Sequence, residues 1–409
     1  MESNANKIVV RFVLSHPVQY FSPLFKQLAQ VPNWDFQVWY ASDDSLKGAL
    51  DPGFGKSITW DIPLLEGYSY TLFPNKAFSP GIRHGFFGLW NPDMIRSLQN
   101  NSPHKILIIH GWNYLTHLSL ILKAKKQGWK IFLRGDNPLM HENLLPAWKQ
   151  KIKKFILPLL IRKADKILFT GKENKLFFQQ YGAKLNQLHF APHAIENNRF
   201  AAARSLSEED LFIQKENLSI PTNIPIILFC GKFIPKKRPL DLLNALLPIK
   251  HLPWFLIMIG EGELKTEITD FINSHFPDKA ILPGFINQQS LPQWYNISDV
   301  LILPSGAGET WGLIVNEAIA VGLPVILSNL VGCGPDLIEI NKNGFIYPCG
   351  NIQELQKHIE FVITNPEWRK ESTSVSLNIS QKYSMDALSN SIVQAVNTIF
   401  TPNASIIHG

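Results

Sequence analysis

The chain predicts an α/β protein built as two doubly wound domains. Three observations lead there. Short apolar runs alternate with helical, mixed-charge segments, the alternation lapses between residues 196 and 224, and it then restarts for a second block of similar length. Apolar strands joined through helices are covered on both faces, which is the habit of parallel βαβ sheets. A length of 409 residues suits two or three domains, and 45% apolar against 18% charged residues provides for large cores.

In the first block "KIVVRFVLS" (7–15) reads as the opening strand and "PLFKQLAQ" (23–30) as its helix. "DFQVWYAS" (35–42), "KILIIHG" (105–111), "WKIFLRGD" (129–136), "KILFTG" (166–171) and "LHFAPHA" (188–194) are further strands. Residues 196–224 are polar, carry no strand signal and mark the connection between domains. The second block contributes "PIILFCG" (225–231), "WFLIMIGEG" (254–262), "KAILPGF" (279–285), "DVLILPS" (299–305) and "PVILSN" (324–329). The segment 380–399 has helical periodicity and is expected to pack back on the first domain. The expected division is therefore 1–195, 196–224, 225–379 and 380–409. Doubly wound folds bind ligands beyond the carboxyl ends of their strands, which for two facing domains means the cleft between them.

Composition narrows the partners. A net charge of +6 favours anionic ligands, and no DNA- or RNA-binding fingerprint is present, so no nucleic-acid partner is expected. Cys230, Cys333 and Cys349 are too few and too scattered for a disulfide framework or a zinc site. The start, "MESNANKIVVRFVLS", has a short apolar run broken by Arg11 and does not read as a signal peptide. No run approaches the roughly 18 to 20 apolar residues that a membrane span needs. A cytoplasmic location is expected.

The chemistry gathers in "PSGAGETWGLIVNEAIAVG" (304–322). A strand ends near Ser305, a glycine loop follows, and a helix is expected from about Trp311 to Val321, stopped by Gly322 and Pro324. Glu309 then lies ahead of the helix and Glu317 nearly two turns inside it. Between them the amides of Trp311, Gly312, Leu313 and Ile314 form a ready phosphate site. A carboxylate, a fan of N–H donors and a second carboxylate match the order of sugar hydroxyls, diphosphate and ribose in a nucleotide sugar. By themselves the two glutamates are equally explained by helix-dipole complementarity and a solvated surface. Upstream, "FCGKFIPKKRPLDLLNA" (229–245) puts Lys232 directly after a strand, with Lys236, Lys237 and Arg238 close behind; cations there neutralise a diphosphate leaving group. "ILPGFINQQSLPQWYNISDVLILPS" (281–305) places a Gly284–Phe285–Ile286 turn before a helix and the strand that carries the glutamate loop, and "GCGPDLIEINKNGFIYP" (332–348) is a glycine-rich turn leading into the next helix and strand.

In this order and spacing the pieces resemble the retaining glycosyltransferases of the GT-B fold, specifically glycosyltransferase family four. The resemblance rests on Gly231–Lys232…Lys237, Gly284–Phe285, Glu309…Glu317 and Gly334–Pro335–Asp336, and covers residues 225 to 350. "APHAIENNRF" (191–200) extends it more loosely. It implies a nucleotide-sugar donor, with no cofactor or metal, and transfer of a hexose to a glycan or lipid-linked glycan. Glu309 would contact donor-sugar hydroxyls beside the amides of Trp311 and Gly312. The amides of Leu313 and Ile314 would meet the diphosphate, Lys232 and Lys237 would hold its charge, and Glu317 would accept from the ribose. The backbone of Phe285 and Ile286 would read the base. His110, ending the strand of "ILIIHGWNY", resembles the first-domain histidine that faces the donor sugar. Arg134 and Asp136 end the next strand and are candidates for the same wall, with His16, Gln19 and Tyr20 on the acceptor side. The chain departs from the pattern at Lys232, where arginine is common, at Thr310–Trp311, where Gly-Phe is usual, and at "SHPVQYFSP" (15–23), where a glycine-rich loop is usual. Two alternatives stay open: a non-catalytic nucleotide-sugar binder, and a sugar-nucleotide epimerase on the same architecture.

Finally, "PAWKQKIKKFILPLLIRKADK" (146–166) mixes lysines and arginine with aromatic and aliphatic residues, broken by Pro158. It reads either as a core-facing helix with a solvated basic face or as a segment lying on an anionic membrane surface.

Overall fold

The computed structural model describes residues 7–48, 50–51, 53–57, 59–204 and 206–400, with residues 50, 51 and 56 described by backbone alone. The stretches 1–195, 196–224 and 380–409 each extend into residues outside this set.

Fifteen strands follow in chain order: β1 (Ile8–Leu14), β2 (Trp34–Tyr40), β3 (Leu50–Asp51), β4 (Lys56–Ser57), β5 (Tyr70–Leu72), β6 (Lys105–His110), β7 (Lys130–Gly135), β8 (Lys166–Phe169), β9 (Leu188–Phe190), β10 (Ile226–Cys230), β11 (Phe255–Ile259), β12 (Ala280–Gly284), β13 (Val300–Leu303), β14 (Val325–Ser328) and β15 (Gly344–Tyr347). The chain divides into two compact units. The first comprises residues 1–49, 63–192 and 385–409, and the second residues 50–62 and 193–384.

The first unit holds a seven-stranded sheet in the order β5-β2-β1-β6-β7-β8-β9, every pairing parallel. The second holds a six-stranded sheet, β12-β11-β10-β13-β14-β15, again parallel throughout. In each, the strand order reverses beside the first strand: at β1/β6 in one and at β10/β13 in the other. Both units thus have the Rossmann-like order, and the chain has the paired plan of the GT-B fold. Every side chain of β10, β11, β13 and β14 is buried, as a sheet covered on both faces requires. Three strands carried no strong apolar run: β5, half exposed, and the hairpin strands β3 and β4, which pair antiparallel and group with the second unit.

Residues 196–224 contain two helices, Asn197–Arg204 and Glu208–Asn217, that also group with the second unit. Phe200 of the former is fully buried, its ring 5.8 Å from that of Tyr295. The helix Met385–Phe400 belongs to the first unit, where Gln27 Nε2 donates to Asp386 Oδ1 at 2.7 Å.

Pro158 does not break its segment, because one helix runs through it from Ala147 to Ile161. Proline forfeits only its own N–H, and the carbonyl left without that donor belongs to exposed Lys154, where water reaches it. The core-facing reading holds for one face, where Leu157, Leu160 and Ile161 join the first unit's core. Trp148, Ile152, Phe155, Ile156 and Leu159 are exposed along one stripe, and only Leu157, Leu160 and Ile161 are buried. No helix among the described residues is long and apolar enough to cross a membrane.

Candidate functional site

The second unit brings most of the candidate residues to the carboxyl ends of β10 and β13, the strands flanking its reversal of order. Lys232 and Lys237 follow β10, and Glu309 follows β13. The two loops are bonded together, since the Gly306 amide donates to the Lys236 carbonyl at 2.8 Å. That contact brings Lys237 Nζ onto Glu309 Oε2 as a short, largely buried ion pair. Burial alone would raise the Glu309 carboxyl. The charge and hydrogen bond of Lys237, with Lys236 behind it, outweigh burial and hold it below the ordinary range.

The helix after the loop is Leu313–Ala320, two residues shorter at its start than the sequence suggests. Gly312 is its N-cap at φ +97°, a conformation costly for any residue with a side chain. A Cβ there would also press on Val331 and Leu303, at 3.0 and 3.2 Å. The first helical amides, at Leu313 and Ile314, have no partner four residues back and face out of the helix start. Trp311, by contrast, does not project its ring from the loop. The indole is buried, donates to Asn316 Oδ1 at 2.8 Å and lies against His193 and Tyr383.

Glu317 therefore lies little more than one turn into the helix, fully buried, where the Tyr295 hydroxyl donates to Oε2 at 2.7 Å. Cys230 stands beside it, and burial together with the Glu317 charge pushes that thiol up to about 12. Neither Tyr295 nor Cys230 was singled out from the sequence. Tyr295 sits in "QWYN", where a buried aromatic with a polar tip is a detectable signal. Phe285 and Ile286 are half-buried in the turn after β12. The Phe285 ring packs edge-on against Phe54, centroids 5.2 Å apart, and near Trp60 at 6.4 Å. Lys232 Nζ lies 4.7 Å from the centre of the Phe54 ring. This 50–62 hairpin gave no sequence signal beyond an aromatic between two glycines.

In the first unit the candidates also gather at the reversal point, after β1 and at the end of β6. His110 closes β6 with its ring 5.0 Å from Phe21, edge-on. His16 follows β1, its Nδ1 2.9 Å from Ser15 Oγ, and Gln19 and Tyr20 form the next turn. Burial lowers the His16 pKa, partly offset by Asp44, with Arg83 adding to the lowering. Arg134 is different. It is fully buried in β7, and its two terminal nitrogens donate to the carbonyls of Ala191 and Pro192 at 2.7 and 3.0 Å. Its guanidinium thereby ties down the backbone just after β9. Burial lowers its pKa to about 10 against the pull of Asp136.

With this geometry in view, residues 212–375 match the family described as Glycosyl transferases group 1. The matched stretch lies within the second unit. Similar curated proteins agree. The D-inositol 3-phosphate glycosyltransferase of Xylanimonas cellulosilytica is 25% identical over 54% of this chain and 57% of its own length. Spore coat protein SA of Bacillus subtilis is 30% identical over 36% of this chain and 41% of its own. The chain thus spans about half the length of these relatives. Solved structures match over far more of the chain. A glycosyltransferase of Rickettsia africae superposes with a TM-score of 0.71 at 17% identity, covering 97% of this chain and 99% of that one. HepE of Anabaena, solved with UDP, gives 0.73 at 16% identity, covering 96% and 100%. At such identities the likeness is one of fold. Within the matched residues lie Lys232, Lys237, Phe285, Glu309 and Glu317; His110, Arg134 and the hairpin lie outside them.

Proposed function

We propose that this protein is a retaining glycosyltransferase that moves a hexose from a nucleotide sugar to a glycan or lipid-linked glycan. One observation carries the reading: Lys232, the Lys237–Glu309 pair and the open helix start at Leu313 meet at the reversal point of the second unit. Glu309, held as a carboxylate by Lys237, accepts from hydroxyls of the donor sugar. The amides of Leu313 and Ile314 and the ammonium groups of Lys232 and Lys237 take the charge of the departing diphosphate. Glu317, kept in place by Tyr295, accepts from ribose hydroxyls, and the backbone at Phe285 and Ile286 reads the base. The bond from the anomeric carbon to the diphosphate breaks while the acceptor oxygen bonds to that carbon from the same face, and its proton passes to the leaving phosphate oxygen. Fixed cations and amides supply the stabilisation that a metal ion gives other transferases. His110 is the first unit's candidate for a hydrogen bond to the transferred sugar, with His16, Gln19 and Tyr20 toward the acceptor.

HepE, a protein of the same fold, is solved with UDP-glucose, which makes UDP-hexoses the first donors to test. The exposed stripe of the helix Ala147–Ile161, flanked by Lys149, Lys151, Arg162 and Lys163, supports a peripheral place on an anionic membrane and hence a lipid-linked acceptor. The deciding experiment is product formation from a labelled donor, screened over UDP-, GDP- and ADP-sugars. Wild-type transfer with at least a hundredfold loss in Glu309→Ala, at unchanged melting temperature, is expected from the loss of a group contacting the transition state, worth ~3 kcal/mol. Binding of donor with no transfer by the wild type would leave a non-catalytic binder.

A further inference from the structure

The hairpin 50–62 sits on two of the groups assigned to the donor, and this inference rests on that assignment. Phe54 covers the Lys232 ammonium at 4.7 Å and meets the Phe285 ring edge-on, while Trp60 approaches the same phenylalanine. An aromatic face is a weaker partner for an ammonium than a diphosphate is. Polar ties of the hairpin to the 287–289 segment lie at exposed or half-buried residues. Asn287 Nδ2 donates to the Thr59 carbonyl at 2.8 Å, the Gln289 amide to Asp61 Oδ2 at 3.1 Å, and Gln289 Nε2 to the Asp61 carbonyl at 2.5 Å. Phe54 itself stands between Gly53 and Gly55, and Gly55 has φ +67° with open space around it, so the tip can swing at little backbone cost.

We propose that Phe54 and the hairpin tip around it are a built-in competitor for the donor: Phe54 occupies Lys232 and roofs the base-reading turn until a nucleoside diphosphate displaces it. The hairpin then sets apparent donor affinity, because only the fraction of molecules with the strap lifted binds. It also keeps the lysine covered by a ring in place of water.

Calorimetric titration of the full chain with UDP, GDP and ADP, at fixed ionic strength, tests this in four proteins: wild type, Phe54→Ala, Asp61→Ala and Glu317→Gln. Phe54→Ala and Asp61→Ala should bind the preferred diphosphate about five- to tenfold more tightly than wild type. Amide hydrogen exchange at 53–57 in the wild type should quicken when that diphosphate is added. Unchanged or weaker binding in both hairpin variants, with exchange unchanged or slowed, would mean a fixed wall of the site and would overturn the proposal. Glu317→Gln separates the two layers. If it loses affinity while the hairpin variants match wild type, only the strap fails. If it binds like wild type, the donor site itself is misassigned, and absence of binding in all four proteins overturns both.

Discussion

Glu309 and Lys237 share one largely buried ion pair, in which the ammonium holds the carboxyl in its charged form. Lys237→Met removes the main charge opposing burial, so the carboxyl should titrate higher than in the wild type. The acid limb of the rate-against-pH profile should therefore move to higher pH in that variant. In the wild type the Glu309 pKa is depressed on folding. Its contribution to stability is then complete above the unfolded glutamate value of ~4.3 and is lost only as pH falls through the lower folded value. Superimposable profiles for the two proteins would show that the pair does not set this charge. His117 provides a second titration of stability. Burial lowers its pKa to about 4, offset slightly by Gly111. Between its unfolded value of ~6.5 and about 4 only the unfolded chain binds the proton, so stability should decline on acidification across that window, by on the order of 3 kcal/mol in all. Denaturant melts at stepped pH should show this slope, and His117→Leu should remove it. Arg134 carries the opposite lesson. A cation at the end of a strand looks like a ligand group from sequence, but the carbonyls of residues 191 and 192 that consume it come from a segment nearly sixty positions away. No local pattern announces such a partner.

At the level of elements, the loop and helix that hold Glu309 and Glu317 were legible because strand, glycine loop, apolar helix and Gly-Pro stop follow one another in sequence. The helix start was misplaced by two residues because Trp311 looked helical while its indole is drawn inward to Asn316. Gly312 fixes the real start, and Gly312→Ala should lower stability by about 1–3 kcal/mol through its left-handed backbone and the contacts with Val331 and Leu303. A fall in melting temperature checks this. The helix Ala147–Ile161 was legible as basic and amphipathic, but not in its orientation, since both faces are rich in apolar residues. The buried face is settled by Lys153, which turns inward to Glu142 at 2.6 Å beside Leu157, Leu160 and Ile161. Phe155, 79% exposed, heads the outer stripe and should lead in any lipid contact. Phe155→Glu should abolish flotation with anionic liposomes at unchanged melting temperature, whereas equal flotation with neutral liposomes would place the interaction outside electrostatics.

Across the whole molecule, the two α/β blocks could be read because buried parallel strands leave apolar runs that nothing else produces. What could not be read was which unit claims the hairpin 50–62 and the helices Asn197–Arg204 and Glu208–Asn217. The hairpin 50–62 is short and its tip glycine-rich, and its ties to Asn287 and Gln289 span more than two hundred positions. The last helix, Met385–Phe400, shows the same long reach. Its buried stripe of Leu388, Ile392, Ala395 and Val396 belongs to the first unit. Ile392→Asp puts a carboxylate where no solvent reaches and should cost several kcal/mol. Hydrogen exchange should quicken in Ser22–Leu28, which this helix covers, before it does in β10 or β13.

That reach has a consequence for synthesis. On the ribosome the seven-stranded sheet can assemble once β9 has emerged, yet the groove beside Ser22–Leu28 stays bare until residues 385–400 have been translated. A nascent chain paused between residues 212 and 375 exposes that groove to chaperones, and its release from them should coincide with the arrival of residues 385–400.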